Sequence, residues 1–402
     1  MNILFCNKNA PNARYFSSVT TIPDTVFKEL KCSDNLYFSP QYLHALEKNN
    51  PQITFFYIVL FNNDEQAIGF STIQVIDFFI DDVQSGKETI LQKVKCLGRK
   101  LRLISPETPF KILTCGNTFV TGEHGIFLRQ DQNKKAVLQQ FVKALIHFVN
   151  THTTLKNTVD AFMIKDFIKE SLFITDELHN AGYYSFKVDP NMTLTIDEDW
   201  GTFKDYLAAM KTKFRVKAKK ALKQSDTLKV DDISTEDIDT LLPSMTKLYK
   251  TVAAKASFNL GDFNSETYKS LKANLQDNYI LKGYWLNGKL VGFLSGIINQ
   301  NTLDAHFVGI DYTKNRQYAI YQRMLYDYVD VAISKKLQVV NFGRTASEIK
   351  SSIGAIPQEM TIYLRHKKTI PNKILSLFLN RIEPTEFKQK YPFKDKSLIE
   401  KA

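Results

Sequence analysis

The segment from Val308 to Lys350, VGIDYTKNRQYAIYQRMLYDYVDVAISKKLQVVNFGRTASEIK, and the strand leading into it hold the side chains best suited to chemistry. Along the apolar run 303–310, two-residue alternation puts Asp304 and His306 on one face, and Asp311 closes the run. A histidine titrating near neutrality accepts a proton directly or through a water. The plainer reading of His306 is a hydrogen-bonded core residue. Asp311 either orients an incoming amine or caps the turn. Next comes a polar loop, residues 312–317, and then a helix with Ile320, Met324, Leu325, Tyr328, Val329 and Ala332 recurring on one face. A short apolar strand, 338–342, follows. Strand, crossover helix and strand make a βαβ unit, which brings the helix start to the carboxyl end of the first strand, where open α/β sheets collect ligands. The free amides and positive pole of that helix suit a pyrophosphate, so Asn315, Arg316, Gln317 and Tyr318 are the expected cofactor contacts. No glycine lies between Tyr312 and Gly343, which makes a close backbone approach to phosphate harder.

Stepping outward, the elements that must hold these residues read as strands and helices in alternation. Residues 278–285 and 289–300 form a hairpin around Asn287-Gly288, the strongest short hairpin signal in the chain. Residues 54–61 and 67–79 form another around residues 62–66. Ser39-Pro40 opens a helix with a side-chain cap and a proline in its first turn. Residues 87–103 read as a basic amphipathic helix, 130–151 as a second crossover helix, 159–164 as a buried strand, and 169–180 as a helix ended by Gly182. Strands are expected at 183–188 and 192–196. The two hairpins align, each with apolar-Gly-Phe opening its second strand, so Gly69 and Gly292 are in register; a long helix and a short strand follow in each half. This implies duplication, with domains at 1–197 and 198–402. The length, 402 residues, also favours two cores over one.

Two further clusters carry charge. Glu123 and His124, between Gly122 and Gly125, form a polar turn able to line a cleft, or are ordinary turn residues. The stretch 204–224 is helical and includes Lys211, Lys213, Arg215, Lys217, Lys219, Lys220 and Lys223, whose charges wrap the helix without alternating in sign. Phosphate contacts from such lysines make binding steeply salt-dependent. The basic tail after Arg365 contains an apolar patch at 374–379, which allows contact with an anionic membrane surface.

The composition supports large buried cores, with 44% hydrophobic and 12% aromatic residues. A net charge of +11 favours an anionic partner: a CoA-like nucleotide, tRNA or the inner face of a membrane. Cys6, Cys32, Cys96 and Cys115 show neither metal-ligand spacing nor a disulfide framework, so no metal is expected. The first residues lack the apolar stretch of a signal peptide, and no run is long enough to cross a bilayer. These features point to a cytoplasmic protein, with a peripheral place at the inner membrane face open to its tail.

The element order resembles a GNAT acyltransferase core. Tyr318 to Tyr321, Asn341-Phe342-Gly343, and Glu348-Ile349-Lys350 followed by Gly354 and Pro357 resemble the Fem-type branch, the tandem-GNAT acyltransferases and peptidyltransferases of bacterial peptidoglycan and envelope synthesis. The resemblance covers roughly residues 36–366. It implies an α/β fold of two tandem GNAT-like domains, each a mixed central sheet flanked by helices. It also implies transfer of an acyl group from acyl-CoA, acetyl-CoA included, to an amine of a cell-envelope or nucleotide-sugar precursor by direct attack. In that setting His306, Asp311 and Glu348 are the candidate catalytic residues, while Arg344 and Lys350 join the acceptor site, with Lys213, Arg215, Lys217, Glu123 and His124 as further substrate contacts. The first alternative is an aminoacyl-tRNA donor extending a peptidoglycan peptide; the second is a non-catalytic protein binding an anionic ligand or membrane surface. The usual Gln/Arg and Gly-rich phosphate loop is absent, which bears most on the CoA reading.

Overall fold

Both expected hairpins form, and the apolar stripe expected on the helix after residue 319 is buried. The computed structural model describes residues 12–78, 109–255 and 261–395; the helix expected at 87–103 lies outside them. In chain order the elements are β1 (Ala13–Phe16), α1 (Asp24–Leu30), α2 (Pro40–Asn49), β2 (Thr54–Phe61), β3 (Ala67–Phe78), β4 (Phe110–Cys115), β5 (Ile126–Leu128), α3 (Lys134–Thr151), β6 (Ala161–Ile168) and β7 (Tyr184–Thr195). There follow α4 (Phe203–Ala209), α5 (Thr212–Gln224), β8 (Lys229–Asp232), α6 (Thr235–Ala253), α7 (Thr267–Leu275), β9 (Tyr279–Leu286), β10 (Lys289–Asn299) and β11 (Thr302–Ile310). The chain ends with α8 (Tyr312–Tyr318), α9 (Ile320–Ser334), β12 (Val339–Asn341), α10 (Ser347–Ser352), β13 (Ile356–His366) and α11 (Thr369–Leu379).

Helix α2 starts as its sequence dictates: the Ser39 hydroxyl accepts the Tyr42 N–H and Pro40 fills the first position. Three local expectations change. Residues 312–318 are a short helix, not a loop, because the Asp311 carboxylate accepts both the Thr313 N–H and the Thr313 hydroxyl. Ala319, at φ 47°, breaks that helix from α9. The strands expected at 183–188 and 192–196 are one strand, β7. The 200–224 stretch is two helices, broken where Met210 bridges to Phe393.

The chain divides into two compact units. One comprises Met1–Val188, Ser257–Phe263 and Glu359–Pro384; the other comprises Asp189–Ala256, Asn264–Gln358 and Thr385–Ala402. The division expected at residue 197 therefore moves to Val188, and the last strand returns to the first unit. The cause is pairing: β13 runs antiparallel to β6, from Met360 opposite Ile168 to His366 opposite Ala161, and buries Met360, Ile362 and Tyr363.

In the first unit the strand order is β1-β2-β3-β4-β6-β13, with β5 beside β3. Helix α3 crosses from β5 to β6 and packs Val137, Leu138, Phe141, Leu145 and Phe148 against Phe56, Ile58, Leu60 and Ile73. In the second unit the order is β12-β11-β10-β9-β8, with residues 193–195 of β7 beside β12. Helix α9 is the crossover, and its predicted face, Ile320, Met324, Leu325, Tyr328, Val329 and Ala332, is buried throughout. Gly69 and Gly292 play one part twice. A Cβ on Gly69 would lie 3.3 Å from Val137 of α3, and one on Gly292 would lie 2.7 Å from Met324 of α9. Each glycine lets the crossover helix settle on the hairpin. Among the described residues no helix is long and apolar enough to cross a membrane.

Candidate functional site

Each unit contains one parallel strand pair that opens at its carboxyl end. In the second unit β11 and β12 pair only from Thr302 opposite Val339 to Asp304 opposite Asn341; β12 then stops while β11 continues to Ile310. Asn341 fixes the point of departure. Its carboxamide donates to Asp304 Oδ1 at 2.7 Å and accepts the Gly343 N–H at 2.9 Å. Beyond it the chain coils through three left-handed residues, Gly343 (φ 70°), Thr345 (φ 67°) and Ala346 (φ 50°). Such conformations cost a non-glycine residue about 1 kcal/mol or more. The coil is held from inside: Lys350 Nζ donates to the carbonyl oxygens of Phe342, Gly343 and Arg344 at 2.7, 3.1 and 2.6 Å. Lys350 is 4% exposed, and burial lowers its pKa to about 7.

Beside this coil lies a cavity of about 240 Å³ lined by Asp189, Thr345, Ala346, Ser347, Glu348, Ile349, Thr385 and Phe387. Glu348 is well exposed there and pairs with Lys390 at 2.8 Å, which holds its carboxyl below the usual range. Asp189 is fixed by the Thr385 N–H at 2.7 Å. Arg344, Glu348 and Lys350 are thus brought together, but their parts differ from those expected. Lys350 braces the loop, Arg344 supplies one of the carbonyls, and Glu348 is the charged side chain facing the cavity.

The remaining expected residues separate. A bulge in β11, where His306 and Phe307 together face Ser295 of β10, turns His306 toward α7; the Ser295 hydroxyl donates to the Phe307 carbonyl and accepts its N–H. The imidazole stands 4.3 Å from the Phe307 ring and near the rings of Tyr268 and Tyr279, with Nδ1 3.3 Å from Ser295 Oγ. Burial lowers its pKa to about 3, so the expectation of a histidine titrating near neutrality is corrected. Asp311 caps α8, the plainer of its two readings. Asn315, expected at a phosphate, instead accepts the Tyr321 N–H at 2.8 Å and closes the start of α9. Arg316 and Gln317 are exposed on α8, Tyr318 packs onto the core, and Ala319 and Ile320 are buried. The helix start expected for a pyrophosphate is therefore covered by α8, because the capped residues 312–318 form a helix that turns at Ala319 onto the start of α9.

The basic stretch is α5. Ala218 and Ala221 are buried and Phe214 and Leu222 pack with the same core, while Lys213, Lys217, Lys219, Lys220 and Lys223 are exposed and Arg215 is half-buried. Among the described residues none of these six cations joins a carboxylate. Helix α5 packs against α8 and α9, so its charge lies beside the closed helix start.

In the first unit β4 and β6 pair up to Cys115 opposite Ile164, and β6 then continues to Ile168 while β5 takes over beside β3. A cavity of about 140 Å³ opens there, lined by Glu123, Lys134, Lys165 and Ser171 among Ile126, Leu128, Leu138, Ile164, Phe167 and Phe173. Glu123 accepts the Ile168 N–H at 2.7 Å and the Ser171 hydroxyl at 2.8 Å; burial raises its pKa. His124 lies against Tyr37, its ring tilted by 37° with the centroids 3.9 Å apart, and burial lowers its pKa to about 4. Sequence reasoning missed Lys165 and Asp166, a buried pair 3.1 Å apart, with Lys165 also donating to the carbonyls of Asn117 and Val120. The signal was present: a lysine and an aspartate inside the apolar strand AFMIKDFI.

No family model and no curated protein matches this sequence. Solved structures do. The crystal structure of FemX is similar at 12% identity, with a TM-score of 0.52, over 85% of this chain and 96% of that one. A tandem GNAT protein from the clavulanic acid biosynthesis pathway is similar at 7% identity, with a TM-score of 0.50, over 89% of this chain and 99% of that one. L-PGS from Bacillus licheniformis gives 11% identity and a TM-score of 0.48, over 89% and 96% of the two chains. At these identities the shared property is the fold. With two units of one plan, each spanned by a crossover helix over an equivalent glycine, and two such likenesses along nearly the whole chain, the fold is a tandem GNAT fold, as in the FemX structure.

Proposed function

We propose that this protein is a transferase that moves an acyl or aminoacyl group from an activated donor to an amine of an anionic envelope or nucleotide-sugar precursor. The observation that carries the reading is the open end of the β11–β12 pair, where a strained loop wound on Lys350 borders a cavity containing Glu348 and Asp189. Carboxylates there attract a cationic amine. The ammonium loses one proton to Glu348 or to water, its nitrogen attacks the donor carbonyl, the N–C bond forms as the ester C–O or thioester C–S bond breaks, and the proton released from the new amide nitrogen goes to the departing oxygen or sulfur. Glu348 is the stronger candidate for that role because it faces the cavity; His306, enclosed among Tyr268, Tyr279 and Phe307, and Asp311, spent as a cap, are the weaker ones.

The donor best supported in the second unit is aminoacyl-tRNA. Asn315 and α8 close the helix start that a CoA pyrophosphate would need, while α5 presents six cations beside it. Acyl-CoA remains the second reading because of the cavity in the first unit, which lies at the open end of β4–β6 with Lys134 in the first turn of α3. A filter-binding titration with tRNA at two salt concentrations, beside thermal unfolding with millimolar acetyl-CoA, separates them. The first reading expects tRNA affinity that falls steeply with salt and is lost in Lys213→Glu/Lys217→Glu/Lys220→Glu. The second expects no tRNA binding and stabilisation by acetyl-CoA, about 2.7 kcal/mol at a hundred times its dissociation constant. Failure of both ligands removes the proposal.

A further inference from the structure

We infer that the outer face of α11 docks on an anionic lipid bilayer. The helix is fixed to the first unit along one edge, where Asn372 donates to the Gly182 carbonyl and accepts the His366 N–H, and where Leu379 is buried. Its opposite edge carries Ile370, 74% exposed, and Leu377, 63% exposed. Seven positions apart, these lie on one stripe two turns long, with half-buried Ile374 between them. Single exposed aliphatics are ordinary, but this stripe along one helix edge is left uncovered among the described residues.

Charge selects the occupant. From residue 365 to residue 382 the chain carries Arg365, Lys367, Lys368, Lys373 and Arg381 and no Asp or Glu. Lys368, Lys373 and Arg381 are exposed around the stripe. A second copy docked face to face would set these cations against their own kind. RNA would leave the aliphatic stripe in water. An anionic membrane satisfies both features at once, taking the aliphatic side chains below the headgroups and the lysines at their level. With eleven residues the helix is too short to span a bilayer, so it lies in the plane of the interface. This surface is separate from the proposed transfer site and does not depend on which donor is used.

Flotation of the full chain with vesicles tests the inference, comparing phosphatidylcholine alone with phosphatidylcholine containing phosphatidylglycerol. We expect flotation only with the anionic vesicles and weakening with salt. Lys368→Gln and Lys373→Gln should each lower partitioning roughly fivefold, the worth of one cation at an anionic surface. The double variant Ile370→Glu/Leu377→Glu should abolish flotation without moving the urea midpoint, since both side chains are exposed. Absence of flotation with anionic vesicles overturns the inference, as does flotation that the double variant retains. A dimer that this variant dissociates, without flotation of the native chain, assigns the face to a second copy instead.

Discussion

On β11 the imidazole of His306 lies among Tyr268, Tyr279 and Phe307, and burial holds its pKa near 3 where an unfolded chain would titrate near 6.5. Between those values the unfolded chain binds a proton that the folded one refuses. The stability gained is complete above pH 6.5 and is lost as the pH falls toward 3. By pH 5 the loss is about 2 kcal/mol. Urea midpoints measured from pH 7 to pH 4 should fall for the native chain and fall less for His306→Gln. Lys350 has the same sign in another window: its pKa is lowered from 10.5 to about 7, so its contribution is complete above pH 10.5 and declines as the pH falls to 7. Lys350→Met should therefore flatten the rise in stability between pH 7 and 10. It also leaves the carbonyls of residues 342–344 without their donor, so the left-handed loop should relax and transfer should fail even where the fold survives. Urea midpoints across that range, followed by an activity measurement on the folded variant, check both effects.

Among the elements, the ends of the parallel pairs are where the two cavities open. In the first unit this end depends on Gly125, where β5 replaces β4 beside β3. A Cβ there would stand 2.8 Å from the Cys115 carbon, the Cys115 oxygen and the Gly116 nitrogen, all backbone atoms with no rotamer to yield. Gly125→Ala should cost about 1–3 kcal/mol, the usual range for overpacking, and should widen the cavity mouth near Glu123. Chemical denaturation measures the first effect; the second would appear as altered ligand affinity in the first unit. Gly69 and Gly292 were visible in the sequence because each opens a strand in the same phrase. Gly125 read only as a turn residue, since its closeness to the end of β4 arises only once β4 and β5 line up end to end beside β3. The start of α9 was misread for a related reason: Asp311 announces a cap, but whether the capped turn stays open or folds over the next helix depends on Ala319 taking a left-handed conformation.

For the whole molecule, the first unit is closed by a strand that the chain makes only after passing through the second. β13 supplies its edge beside β6, and Tyr363 donates a hydrogen bond to Thr175 Oγ1 at 2.6 Å. A fragment ending at Val188 should therefore remain unfolded or aggregate, while the same fragment with residues 359–384 attached by a flexible linker should show native-like near-UV circular dichroism. Folding of the short fragment alone would contradict this account. Hairpins, crossover helices, the repeated plan and the basic helix could be read from the sequence because each is set by local periodicity and turn chemistry. The phrase GRTASEIK marked the loop that borders the larger of the two cavities described, again through local order. Three things required the tertiary structure: the return of β13 to the first unit, the closure of the α9 start by Asn315, and the burial that makes His306 a poor base and Lys350 a brace. The first and third depend on which segments pair with or cover a group, and the second on the backbone angle taken at Ala319; packed neighbourhood and chain direction are not encoded by residue type and spacing.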